Sequence, residues 1–175
     1  ELLKEQYSAL EETRADLVAL YFCADPKLVE LGIVAADDHA DIVRAEYEAF
    51  ARTALVQLRR VREGSQLEED HMRNRQAIVH WLLANTRALS VRIRDGKTYH
   101  VLESVARFRA GVAEMLHEVQ RICASQMAFW HGPRGKPPMP RYVFMLNSVE
   151  EGYGGLEHRA STALLASRRD LPARG

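Results

Sequence analysis

The sequence predicts a mainly α fold that ends in a short β-containing segment, α+β overall, and three observations carry that reading. Apolar residues recur at helical spacing through most of residues 3–130, a single stretch near residue 90 switches to alternation, and a Pro/Gly-rich run separates both from a strand-like end. At 175 residues and 47% hydrophobic content, the chain is long enough to bury a core of ordinary size.

Leu3, Tyr7, Leu10, Leu17 and Tyr21 share a helical period and predict a first helix to about Phe22. Asp25-Pro26 supplies a cap and a first-turn proline for a short helix that Gly32 ends. From Asp38 a longer helix carries Val43, Tyr47, Phe50, Ala54, Leu58 and Val61 on one stripe, with Gly64 placed for a left-handed cap. Ser65-Gln66-Leu67-Glu68 reads as a capping box opening a helix to about Asn85. Leu89, Val91 and Ile93 then alternate with polar residues, Asp95-Gly96 offers a tight turn, and Tyr99 and Val101 alternate back, which predicts a β-hairpin. Val105 through Ile122 return to helical spacing, in a helix to about Trp130. Four prolines between Gly132 and Pro140 remove amide donors and predict a linker. Beyond it, Tyr142 to Leu146 is strand-like, Glu151 to Gly155 a turn, and Leu156 to Ser167 a second strand-like stretch. The domain organisation expected is 1–125 helical, 126–140 helix end and linker, and 141–175 strand-rich.

Charge excludes some partners. Twenty-four basic residues balance twenty-four acidic ones, so no net field draws the chain to nucleic acid or to an anionic membrane. No apolar run approaches the ~18 residues of a membrane span. Two cysteines outside any CxxC pair suit a reducing compartment, and a cytoplasmic location is the expectation. The first residues read as the middle of a helix already under way.

Two constellations carry chemistry. In the first, Glu12 and Asp16 are one helical turn apart, so two carboxylates share a face. They form either a solvated acidic surface or a source of a metal ligand and a carboxylate that orients a histidine. His71 and Arg75 are likewise four apart, and offer an imidazole donor and a carboxylate-binding fork or else a surface helix with His71 satisfied by Glu68 or by water. In the second, Gly154 and Gly155 allow close backbone approach to an extended peptide, with Glu157 able to hold a free amine; the plainer reading is a glycine-rich turn entering an edge strand.

Glu11-Glu12-Thr13-Arg14-Ala15-Asp16, then Asp25 to Gly32, then His71-Met72-Arg73-Asn74-Arg75, in that order, closely resemble the dipeptidyl peptidase III family of zinc peptidases, from the first residue to about 120. The family's Glu-Glu-Cys-Arg-Ala-Glu motif implies that Glu12 is a zinc ligand and Asp16 an outer-shell partner of a zinc histidine. The resemblance further implies that His71 stabilises the transition state, Arg75 positions it, and the cofactor is zinc with a peptide as substrate. Thr13 and Asp16 depart from the motif, and the shorter Asp16 reaches less far. The family's His-Glu-Leu-Leu-Gly-His segment occurs nowhere in the chain, and none of its seven histidines is paired at ligand spacing. Tight zinc binding and peptide hydrolysis by this chain alone are therefore not expected. From about Ile122 onward, Arg141 to Asn147 and Gly152 to Leu164 resemble the glycyl aminopeptidases, which implies that Gly155 and Glu157 line a substrate-binding edge. The alternative to an enzyme piece is a non-catalytic helical module that binds a partner or self-associates through exposed apolar faces.

Overall fold

The computed structural model describes residues 7–59, 61, 69–132, 140–141, 143–158 and 160–170. The chain divides into two compact units, Glu1–Arg121 and Ile122–Gly175. The observed fold is mainly α with two small sheets.

In the first unit α1 spans Tyr7–Phe22, and its buried line runs through Ala9, Thr13, Leu17 and Leu20. Thr13 sits where an apolar residue would be ordinary. Its hydroxyl donates to the Ala9 carbonyl at 2.7 Å, so the burial leaves no unpaired group. The Lys27 amide donates to Asp25 Oδ1 at 2.9 Å at the start of α2 (Lys27–Glu30), and Gly32 turns the chain at φ 70°. Helix α3 (His39–Leu58) buries Val43, Tyr47, Phe50, Ala51 and Ala54. The predicted stripe is right to Ala54 but fails at its end: Leu58 is exposed and Val61 half-buried, and the helix stops at Leu58 before the stripe is complete.

Helix α4 covers Asp70–Asn85. The predicted cap Gly64 and the capping box at 65–68 lie outside the described residues. Glu69 occupies the cap position, its carboxylate accepting from the amides of His71 at 3.2 Å and Met72 at 2.8 Å. The hairpin pairs β1 (Leu89–Arg94) with β2 (Lys97–Leu102), with Arg94 opposite Lys97. Asp95 and Gly96, both at positive φ, close it with the right-handed twist that two-residue turns need.

Helix α5 (Val105–His131) runs on past the end of the first unit. Its residues Phe108, Val112, Met115 and Val119 are buried. The core of the first unit gathers Leu17, Tyr47, Ile78, Leu82 and Phe108, all fully buried, and Tyr47 stacks on Phe108 with ring centroids 4.1 Å apart. Each such side chain contributes about 1.5–3 kcal/mol by leaving water.

In the second unit β3 (Val143–Val149), β4 (Gly154–His158) and β5 (Ser161–Ser167) form a sheet in the order β3-β5-β4. Strand β5 runs parallel to β3 and antiparallel to β4. The single strand predicted over Leu156–Ser167 is therefore two strands, because the chain reverses between His158 and Ser161. Gly154 and Gly155, predicted in a turn, are already in β4 and face Leu165 and Leu164. Most of the predicted linker, residues 133–139, lies outside the described residues.

Candidate functional site

Helices α1 and α4 pack against each other, and that contact joins the two halves of the first constellation. Glu12 and Asp16 project from successive turns of α1, while His71 and Arg75 do so from α4. His71 Nδ1 lies 3.1 Å from Glu12 Oε2, so the histidine partner is Glu12. Glu68, the partner weighed from sequence, lies outside the described residues. The His71 side chain is 61% exposed and that of Glu12 37%, so the pair is hydrated and contributes no more than ~1 kcal/mol to stability.

Asp16 is held differently. Asn74 Nδ2 donates to Asp16 Oδ2 at 2.9 Å, and Asn74 is fully buried. Arg75 Nε is 3.9 Å from the same oxygen, an ion pair too long to be a hydrogen bond. The guanidinium of Arg75 instead lies over the Phe50 ring, 5.7 Å from its centroid. Asn74 Oδ1 and Arg75 Nε are both buried without a hydrogen-bond partner among the described residues. The result is a ladder of two rungs, Glu12 to His71 and Asp16 to Asn74, with Arg75 beside the second.

Sequence reasoning missed Asn74. The available signal is its period: Asn74, Ile78 and Leu82 are spaced by four, so an amide interrupts the apolar stripe of α4. A buried amide survives there because it donates a hydrogen bond to Asp16, and replacing it with an apolar group leaves that carboxylate only the longer Arg75 ion pair and water.

The chemistry open to this ladder is proton exchange between an imidazole and a carboxylate, together with anion recognition by Arg75. As a complete zinc site it does not fit. Among the described residues no group of three or more His, Cys, Asp or Glu side chains converges as a metal would require. Glu12 brings one carboxylate, Asp16 is engaged by Asn74, and His71 is the single imidazole.

The second constellation lies elsewhere in the chain. Strand β4 is an edge strand among the described residues, with Gly155 opposite Leu164 and Glu157 opposite Thr162. It belongs to the second unit, whereas Glu12, Asp16, His71 and Arg75 all belong to the first. No described helix is long and apolar enough to cross a membrane.

Residues 1–111 match the family model of Peptidase family M49. No match to the chain is found among the curated proteins.

Proposed function

The chain belongs to peptidase family M49, and on that premise we propose that it forms the metal-side helices of a zinc-dependent exopeptidase acting on peptides. In this reading Glu12 is a zinc ligand, Asp16 orients a histidine ligand, His71 donates a hydrogen bond to the developing oxyanion, and Arg75 positions the transition state. The observation that carries the proposal is the meeting of α1 and α4, which joins motif halves 58 residues apart through the Asn74 to Asp16 hydrogen bond. The imidazole ligands lie outside these 175 residues, and without them these residues alone do not hydrolyse peptides. Its free thiols Cys23 and Cys123 suit a cytoplasmic setting.

The purified chain with added zinc tests the reading on dipeptidyl-naphthylamide substrates. No turnover is expected, and turnover abolished by Glu12→Ala overturns the claim of inactivity. Zinc titration is expected to detect weak binding that Glu12→Gln removes. No binding, or binding indifferent to that change, overturns the assignment of Glu12 as a ligand.

For the second unit the proposal is a glycyl aminopeptidase-like peptide-binding edge along Gly155 and Glu157, supported by the place of β4 at the rim of its sheet. The alternative of a non-catalytic module that self-associates is favoured by Leu31, Ile33 and Ile42, all exposed in the first unit. Light scattering that shows a monodisperse monomer counts against it.

A further inference from the structure

The first unit contains a groove of about 820 Å³ where the end of α1, the start of α3 and the first turns of α5 meet. That size is typical of small-molecule sites. Its walls are apolar and short: Val43, Val105, Ala24 just past α1, Ala40 of α3 and the alanines of α5 leave room where longer side chains would have met.

The charges around it do not balance internally. Arg109 stands on α5 at the groove, its guanidinium 5.2 Å from the centroid of the Tyr21 ring, and no carboxylate pairs with it among the described residues. Its Nε is buried without a hydrogen-bond partner among the described residues. A half-buried guanidinium without an anion is costly, and a π face returns only part of what water supplied. Arg44 lines the same groove and forms an exposed ion pair with Glu48 at 3.7 Å. The amino end of α3 opens here as well, and its cap residue Asp38 makes no side-chain hydrogen bond to the free amides. His39 Nε2 donates to the Cys23 carbonyl at 3.0 Å, which fixes the ring at the rim. Asp41 is the one acid lining the groove among the described residues, and its charge disfavours a ligand with two negative charges.

We propose that this groove binds a small monocarboxylate with an apolar body, the carboxylate set on Arg109 beside the start of α3 and the body along the alanine-lined wall. The site uses none of the residues assigned to peptide hydrolysis, so it stands or falls independently of that reading.

The test uses the whole chain and two probes of equal shape, 3-phenylpropionate and 3-phenylpropanol, followed by amide chemical shifts in an NMR titration to about 10 mM. The acid is expected to shift amides of α3 and α5 around the groove and to bind at least ~10-fold more tightly than the alcohol. Arg109→Met is expected to remove that preference and Arg109→Lys to keep part of it. Phenylalanine, which adds an ammonium to the same acid, is expected to bind no more weakly than the acid because Asp41 is at hand. Equal binding of acid and alcohol by the unaltered chain overturns the proposal, as does an absence of shifts around the groove. So does a preference for the acid that survives in a folded Arg109→Met variant.

Discussion

The two units of this chain differ in how they spend their apolar residues. In the first, Leu17, Tyr47, Ile78, Leu82 and Phe108 are withdrawn completely from water. In the second, Phe144 is 73% exposed and Tyr153 93%, and Thr162 is the one residue counted as buried among those described. Helices bring side chains from distant parts of the sequence onto a common centre, whereas the three-stranded sheet leaves Phe144, Met145, Leu146 and Leu156 exposed among the described residues. The family match, residues 1–111, lies wholly within the unit that owns the core. The candidate catalytic ladder belongs to that unit because its rungs need two helices held in fixed register.

Substitutions can break this contrast. Phe108→Ala removes the ring stacked on Tyr47 and is expected to cost the first unit about 3–5 kcal/mol in urea unfolding. Gly111→Ala is the next largest. Its new methyl group meets Leu82 Cδ2 at 2.7 Å and Thr86 Cγ2 at 2.8 Å, so overpacking of about 1–3 kcal/mol is expected to outweigh the better helix propensity of alanine. In the second unit Leu156→Ser, at a position 61% exposed, is expected to change stability by no more than ~0.5 kcal/mol. A cost above ~2 kcal/mol there contradicts the contrast drawn between the units.

The smallest effect concerns pH. Glu103 accepts hydrogen bonds from Ser90 and from Arg92 at 2.6 Å, which hold its carboxyl below the usual range. A carboxylate depressed on folding adds stability that is complete above its unfolded value and lost as pH falls through the folded one. Glu103→Gln is therefore expected to flatten the fall of Tm on acidification below about pH 4.5, leaving its slope near neutrality unchanged. A steeper fall in the variant contradicts this.

Helix and hairpin positions were legible because their signals are local. Asp95-Gly96 demands a reversal whatever surrounds it, and the stripe from Val43 to Ala54 needs only a neighbour. The strand ending failed for the opposite reason: nothing local in Leu156–Ser167 marks a reversal near residue 159, and which strand pairs with which is decided by contacts distant in sequence. Of the site, the types and spacing of Glu12, Asp16, His71 and Arg75 were readable. Their pairing was not, since spacing within one helix says nothing about the helix opposite. Asn74 escaped notice because its role appears only when Asp16 is beside it.

The central claim is that α1 and α4 hold the two halves of one site together, and a double-mutant cycle tests it most directly. Asp16→Ala, Asn74→Ala and the pair are compared by urea unfolding. The buried amide bonded to Asp16 predicts a coupling energy of about 0.5–3 kcal/mol, with the double variant less damaged than the sum of the single ones. Strict additivity would contradict the account, because it would mean that the two motifs do not meet.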